Sequence, residues 1–323
     1  MRAVVITRHG GPEVLEVRDL PVPRAAPGQL VVEVAAAGVN FRDVYEREGA
    51  GAYAAETPLV AGVEGAGTVH EVGAAVEGIA PGDRVAWVAA PGSYAEFVSV
   101  EAQKAIPVPG GVSDEEAAAV LLQGVTAHYL ALSAYPVVEG DTVLVHAAAG
   151  GVGHLLTQVV KLRGGAVIAT ASTEEKAAFV RQSGADHVIG YEDVASRVKE
   201  LTGGKGVGAV FDGVGRATFD DSLASLRPRG VMVLYGAASG QPPAVEIARL
   251  AAASLFLTRP MLPHYTATSA ELLERAGAVF GWVAEQRLRV AIGGRYRFAE
   301  ARRAHEDLQS RRTTGKLLLL PSG

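Results

Sequence analysis

The stretch LVHAAAGGVGHLLTQVVK, Leu144 to Lys161, decides the fold. It opens as an apolar β-type run, passes through a glycine turn and continues with the spacing of an amphipathic helix. In a dinucleotide-binding unit a strand delivers the chain to a tight turn, and the next helix leaves it with its first amides and its dipole facing a pyrophosphate. Glycine is needed there wherever a Cβ would collide. Set against G-x-G-x-x-G, the turn reads Ala148, Gly150 and Gly153, with Gly151 in addition. The middle and last glycines stand, and only the first is replaced. Such a turn also arises from packing alone, but the setting of strand, helix and second strand is the one that confirms the motif.

The nucleotide is decided one strand further on. An NAD site places Asp or Glu about twenty residues after the turn to bond the ribose 2′-hydroxyl, whereas a 2′-phosphate is repelled by a carboxylate and is matched by cations and hydroxyls. The second strand ends IATASTEEK, with no acid at Ala171 or Ser172, a hydroxyl at Ser172 and a cation at Lys176. That pattern favours NADPH over NADH. Ser172 and Glu175 also have the spacing of a capping box, so STEEK has a structural reading as well.

After Glu139 the rhythm is strand, helix, strand, helix: TVLVHA, a helix from about Gly151, AVIATA, a helix from Thr173, HVIG, a helix near Val194 to Leu201, VGAVFD and GVMVLYG. Alternation of this length predicts a doubly wound parallel sheet, an α/β fold. Before Val100 the pattern is short β runs broken by Gly and Pro, which predicts a sandwich or small barrel. Between the two lies SDEEAAAVLLQGVTAHYLALSAY, a helix opened by a Ser113/Glu116 capping box and read as a connector between lobes. Beyond RPMLPHY come two more helices and a closing strand, KLLLLP, that can return to the first lobe.

The totals agree with two domains, since 323 residues are long for one hydrophobic core. The net charge of −5 comes from interspersed acids and bases with no long basic run, so nucleic acid is not an expected partner. No stretch has the roughly 20 apolar residues of a membrane span, and the N-terminus has no signal-peptide pattern. A cytoplasmic protein is therefore expected. With no cysteine anywhere, disulfides, thiolate nucleophiles, thiolate zinc sites and iron–sulfur clusters are excluded together. The eight histidines show no metal-ligand spacing, His146 reads as a strand-end residue, and no metal is expected.

Other segments carry a resemblance that spans the chain: HGGPEVLEV, GVNFRDVYEREG from Gly38 to Gly49, GVEGAGTVHEVG, GDRVA, LVHAAAGGVG, STEEKA, DGVGRATFDDSLASLRPRG, TRP and TTGKLLLLP. In this order they resemble the medium-chain dehydrogenase/reductase superfamily, and within it the zinc-free NADPH:quinone oxidoreductases that include ζ-crystallin. The resemblance implies a GroES-like β domain over 1–123, completed by 262–323, around a Rossmann NADPH-binding domain over 124–261. Zinc-dependent relatives carry a G-H-E motif and cysteines, where this chain reads GVE at Gly62 to Glu64.

The resemblance also implies where the cofactor sits. Phe41, Arg42 and Asp43 border the cleft, Gly150, Gly151, Val152 and Gly153 meet the pyrophosphate, and Ser172, Lys176 and Tyr191 surround the 2′-phosphate. Tyr235, Gly236, Ser239, Thr258, Arg259 and Arg311 complete the groove. Each has a plainer reading: Asn40 and Asp43 as turn formers, Thr126 as a helix-surface residue, Arg311 as one solvated base among several. Two segments depart from the family pattern. DGVG replaces D-S-V-G and so removes a hydroxyl at Gly213, and REGAGAYAAETP is richer in alanine around Tyr53.

The chemistry this implies is hydride transfer from NADPH to a quinone, with the protein supplying orientation and a dry site. No nucleophile is needed, and none stands in a recognisable motif. Charge developing on the acceptor oxygen calls for hydrogen-bond donors, and Asn40, Tyr53 and Thr126 are the candidates. Two other readings stay open: an NADPH-dependent enone or enoyl C=C reductase, and a nucleotide-binding structural or RNA-associated protein of the ζ-crystallin kind. The edge of the parallel sheet at GVMVLYG and SLFLT is expected to support a homodimer.

Overall fold

The computed structural model describes residues 1–50 and 53–321, so Gly51 and Ala52 of the alanine-rich segment lie outside the described residues. Contacts divide the chain into two units: Met1–Leu122 with Thr268–Gln286 and Val290–Gly323, and Gln123–Ala267 with Arg287–Arg289.

The first unit holds two sheets. Strands β1 (Arg2–Ile6), β2 (Leu15–Asp19) and β4 (Leu59–Val60) form one, in the order β2-β1-β4. The other is built on the long strand β3 (Gln29–Val39) with β5 (Gly65–Val72), β6 (Arg84–Trp87), β7 (Phe97–Glu101) and β8 (Ile106–Pro107). It is completed from the C-terminal end by β15 (Ile292–Arg297) and β16 (Lys316–Leu320), in the order β15-β16-β3-β5-β6-β8, with β7 also on β3. Trp87, Tyr94, Phe298, Leu317 and Leu319 are among the side chains that fill its core.

Register in this sheet places the chemistry. β3 pairs antiparallel with β16 on one side, Leu317 opposite Val39 and Leu318 opposite Gly38. It pairs antiparallel with β5 on the other, Ala37 opposite Gly65. Residues 38–40, 64 and 316, far apart in sequence, therefore come level with one another. Helix α1 (Phe41–Glu48) starts where β3 ends.

Helix α2 (Asp114–Tyr129), continued by a π-helical turn over Leu130–Ala134, runs through the boundary between the units. The expected capping box is present: Ser113 Oγ accepts from the Glu116 amide at 3.2 Å, and Glu116 Oε2 accepts from the Ser113 amide at 2.9 Å. The sequence reading that no segment is long and apolar enough to span a membrane needs correction. Asp114–Ala134 meets that test by length and composition, but 78% of its apolar window is buried inside the protein. A helix apolar all round is one buried on every face, and burial in a core accounts for this one.

The second unit is an all-parallel sheet of β9 (Thr142–Val145), β10 (Ala166–Thr170), β11 (His187–Ile189), β12 (Val207–Asp212), β13 (Leu226–Leu234) and β14 (Phe256–Thr258). Its order, β11-β10-β9-β12-β13-β14, is that of a dinucleotide-binding sheet, reversing direction between β9 and β12. The buried strands read as near-continuous apolar runs, VGAVFD of β12 being buried at every position. Helices α3 (Gly151–Leu162), α4 (Glu174–Gln182), α5 (Val194–Leu201), α6 (Phe219–Ala224), α7 (Ala248–Ala251) and α8 (Leu262–Tyr265) follow in turn. Helices α9 (Ser269–Ala284) and α10 (Ala301–Gln309) belong to the first unit. The short return of the chain at 287–289 is stitched to α3, since Gln158 Oε1 accepts from the Arg289 amide at 2.8 Å and His154 Nε2 lies 2.8 Å from the Arg289 carbonyl.

Removing the cap of α2 with Ser113→Ala should lower the unfolding free energy by about 1 kcal/mol. The urea midpoint should fall at unchanged m; an unchanged midpoint would show that the helix start is held by packing alone.

Candidate functional site

The parallel sheet gathers the second unit's expected cofactor residues by topology. Gly150 to Gly153 follow β9, Ser172 follows β10, Tyr191 follows β11, Tyr235 and Gly236 follow β13, and Thr258 and Arg259 end or follow β14. All lie at the carboxyl ends of parallel strands, where ligands bind in open α/β sheets, with the switch point between β9 and β12 at the centre.

At the turn itself, Ala147 adopts a left-handed conformation with φ of 50°, and Gly150 is the extended N-cap of α3. A Cβ on Gly153 would stand 2.5 Å from the Ala147 carbonyl oxygen and 2.7 Å from Ala148 Cα, so only glycine lets the helix lie this close to the strand end. Ala148 itself is fully buried, and alanine fits where the motif usually has its first glycine. No side chain caps α3. Its opening amides therefore remain available to an external acceptor.

The two readings of STEEK separate here. The N-cap of α4 is Thr173, whose Oγ1 accepts from the Lys176 amide at 3.2 Å, so Ser172 is not the cap and its side chain is exposed. Glu174 is turned away to Arg181 at 2.6 Å. Burial holds the Lys176 ammonium below the usual lysine range, with Glu175 opposing. Tyr191 Oη accepts from the Ala147 amide at 3.1 Å, and its ring stacks on His146 at 6.2 Å.

On the other strands, Gly213 has an evident reason. A Cβ there would meet the Tyr235 ring at 2.8 Å, so the phenol fills the space that the family's serine would need. Burial raises the Tyr235 phenol above its ordinary range. Ser239 Oγ donates to the Val214 carbonyl at 2.8 Å and accepts from the Ala217 amide at 2.9 Å, which commits that hydroxyl to the loop. Arg259 donates to the Leu234 carbonyl at 3.0 Å. Thr126 lies on α2 and is 7% exposed.

The first unit contains a network that sequence reasoning missed. Lys316 Nζ stands 2.6 Å from Glu64 Oε2 and donates to Asn40 Oδ1 at 2.8 Å. Asn40 Nδ2 donates to Glu64 Oε2 at 3.0 Å and to the Gly38 carbonyl at 3.1 Å, while Glu64 Oε1 accepts from the Leu122 amide at 2.7 Å. An ammonium only donates and a carboxylate only accepts, so the amide orientation of Asn40 is forced. Both its hydrogens are spent inward. In this geometry the Asn40 side chain is engaged on its oxygen by Lys316 and on its nitrogen by Glu64 and the Gly38 carbonyl.

A second branch runs from the start of α1 to its far end. Asp43 Oδ2 accepts from the Asn40 amide at 2.9 Å and from Tyr94 Oη at 2.8 Å. Tyr94 Oη lies 3.4 Å from His305 Nε2, and Arg47 Nη1 donates to His305 Nδ1 at 3.1 Å. Since a guanidinium cannot accept, Nδ1 accepts and Nε2 carries the proton. Every donor in the chain Arg47, His305, Tyr94 then points toward Asp43. Burial, with Arg47 beside it, pulls His305 down to about 3, so it stays neutral near pH 7. Burial pushes Asp43 up to about 7, against the Tyr94 hydrogen bond and the Lys316 charge. Asp43 Oδ1 and Arg42 Nε are buried without a hydrogen-bond partner.

Beside this network lies an aromatic group. Tyr45 stacks on Tyr53 at 6.0 Å and approaches Phe41 at 6.4 Å, and the Arg42 guanidinium lies 5.5 Å over the Tyr53 ring. The structure thus brings Asn40, Phe41, Arg42, Asp43 and Tyr53 together in one unit. Arg311, in the same unit, is an exposed left-handed residue just after α10. Thr126 and the strand-end residues belong to the other unit.

Asp43 generates a pH prediction. Its folded pKa of about 7 exceeds the ordinary carboxylate value of 3.8, so the folded state holds the proton more tightly and stability falls as pH rises from about 4 to about 7. In Asp43→Asn the urea-derived stability should be flatter across that window; an unchanged pH slope would contradict the assignment.

Two family models match the chain: Alcohol dehydrogenase GroES-like domain over residues 26–110, and Zinc-binding dehydrogenase over residues 151–276. Zinc does not suit the residues present. There is no cysteine in the sequence, Glu64 is already held by an ammonium, an amide and a backbone N–H, and no group of three or more His, Asp or Glu side chains suited to a metal occurs among the described residues. A Quinone oxidoreductase of Pseudomonas aeruginosa is 42% identical, covering 99% of both chains. The Escherichia coli quinone oxidoreductase solved with NADPH superposes with a TM-score of 0.96 at 39% identity, covering 99% of this chain and 100% of that one. A mycobacterial protein, also solved with NADPH, gives a TM-score of 0.96 at 50% identity with the same coverage. With its full length matched on both sides, GroES-like and Rossmann halves alike, this chain belongs to the quinone oxidoreductase family.

Proposed function

We propose that the protein is a zinc-independent, NADPH-dependent quinone oxidoreductase. The observation that carries this reading is the uncapped start of α3 at the switch point of the sheet, with Ser172 released from capping duty and Lys176 one turn along. The residues fit NADPH: the amides of Gly151, Val152 and Gly153 for the pyrophosphate, the Ser172 hydroxyl and Lys176 ammonium for a 2′-phosphate. Tyr191, Tyr235, Gly236, Thr258 and Arg259 stand at neighbouring strand ends, and Ser239 shapes the loop after β13. Phe41, Arg42, Asp43 and Arg311 are further proposed cofactor contacts.

Bound NADPH supplies a hydride, and with one proton from solvent a quinone becomes a quinol. The protein's work is orientation and exclusion of water. The Tyr45 and Tyr53 rings offer faces on which a flat, electron-poor ring can stack. The phenol of Tyr53 is a proposed donor to the acceptor oxygen, and the Arg42 cation beside Tyr53 favours negative charge there; the Thr126 hydroxyl on α2 is a separate candidate donor. Asn40 holds the framework. No nucleophile or metal is called on.

The protein is also proposed to act as a cytoplasmic homodimer. β14 is an edge strand of the parallel sheet and its Phe256 is 60% exposed, an unpaired apolar edge of the kind that pairs with a second copy.

Two measurements test the reading. Lys176→Ala should raise the Kd for NADPH at least tenfold while leaving that for NADH within about twofold, because one phosphate contact is lost and only NADPH has that phosphate; equal effects on both would remove the 2′-phosphate assignment. Steady-state rates with 1,4-benzoquinone should exceed those with an α,β-unsaturated ketone. A hundredfold preference for the enone would make the protein a C=C reductase, and tight NADPH binding without turnover of either would make it a nucleotide-binding structural protein.

A further inference from the structure

Lys316 and Glu64 form an ion pair whose side chains are 2% and 0% exposed, held between the strands β16, β3 and β5. The fold has been shaped to admit it. A Cβ on Gly38 would stand 2.4 Å from Glu64 Oε2 and 2.8 Å from Lys316 Nζ, so the strand between the two charges carries glycine where they meet. Taking two charges out of water is expensive, and an apolar pair of the same volume is commonly at least as stabilising. What an apolar pair cannot do is fix a neighbouring amide. Lys316 claims the Asn40 oxygen, and Glu64 claims one Asn40 hydrogen while the Gly38 carbonyl takes the other.

Asn40 is the residue at which β3 becomes α1. Its backbone amide is held by Asp43, and the next residues, Phe41 and Arg42, carry the aromatic and cationic groups around Tyr53. We infer that Lys316 and Glu64 are positioning residues for the acceptor: through Asn40 they set the first turn of α1 and, with it, the surface on which the quinone ring lies. This rests on the reading of that surface as the acceptor site. Neither residue touches the acceptor, and toward NADPH they act only through the first turn of α1, while the main grip on the nucleotide is proposed to lie on α3 and the strand ends.

The test replaces the pair by apolar residues of similar volume, Glu64→Leu with Lys316→Met. The double variant should fold with a lowered Tm, since the Asn40 side chain and the Leu122 amide lose partners while the packing volume is kept, and its NADPH Kd should change less than its kcat/KM, since only the α1 contacts are displaced. Its kcat/KM for 1,4-benzoquinone should fall at least tenfold with KM raised, and the Asn40 side-chain NH2 resonances in a ¹⁵N–¹H spectrum should lose their slow exchange with solvent. Glu64→Gln, which keeps an acceptor oxygen for Lys316, should recover part of the lost kcat/KM. A folded double variant with wild-type kcat/KM overturns the inference, as does an Asn40 amide unchanged in exchange. If the double variant does not fold, Glu64→Gln alone decides: a fall in kcat/KM larger than any rise in NADPH Kd supports positioning, and wild-type kcat/KM refutes it. Absence of benzoquinone turnover in the wild-type protein is a failure of the functional reading and not of this one, because the amide exchange still reports whether the pair orients Asn40.

Discussion

Helix α3 can leave β9 only because nothing stands on the Cα of Gly153. The 2.5 Å that a Cβ would keep from the Ala147 carbonyl is far inside van der Waals contact, so one missing methyl sets the distance between helix and strand. That distance, with the left-handed turn at Ala147, aims the uncapped amides of α3 beyond the carboxyl end of the sheet. The remaining strand-end residues follow from sheet order. Parallel strands in the sequence 3-2-1-4-5-6 carry positions 172, 191, 235 and 258 to the same side, and no separate device is needed to assemble them.

The first unit solves a different problem, that of fixing a short helix on the end of a strand. It uses buried charge. Lys316 and Glu64 lock the Asn40 side chain, and the donors of Arg47, His305 and Tyr94 converge on Asp43. In a low dielectric such chains are strong when complete and costly when broken. This one is nearly complete, with Asp43 Oδ1 left without a partner at the very place where α1 begins. The neutral state of His305 and the raised Asp43 are consequences of the same burial.

Much of this was legible in the residues. The strand–helix rhythm after Glu139 and the glycine turn gave the parallel sheet, and the missing acid at Ala171 and Ser172 pointed to a phosphorylated ribose. Spacing favoured the wrong cap for α4, because Ser172 with Glu175 has the form of a capping box whereas Thr173, three residues before a lysine, does not; the extended backbone at Thr173 makes it the cap all the same, its hydroxyl accepting from the Lys176 amide. The ion pair was beyond reach for a simpler reason. Its members are separated by 252 residues, and Lys316 reads from sequence as an ordinary base ahead of a run of leucines. The partners of Asn40 were equally out of reach, since Lys316 and Glu64, which engage its side chain, come from other parts of the chain. The apolar length of α2 was missed in the residues, where it meets the composition of a membrane span, and burial inside the protein accounts for it.

The central claim is that the opening of α3 grips a pyrophosphate while Ser172 and Lys176 receive a 2′-phosphate. A crystal structure of the protein with NADPH tests it most directly. The account predicts pyrophosphate oxygens within hydrogen-bond distance of the amides of Gly151 to Gly153 and the 2′-phosphate between the Ser172 hydroxyl and the Lys176 ammonium. Density for the nucleotide elsewhere, or a 2′-phosphate facing solvent with neither side chain near it, would contradict it.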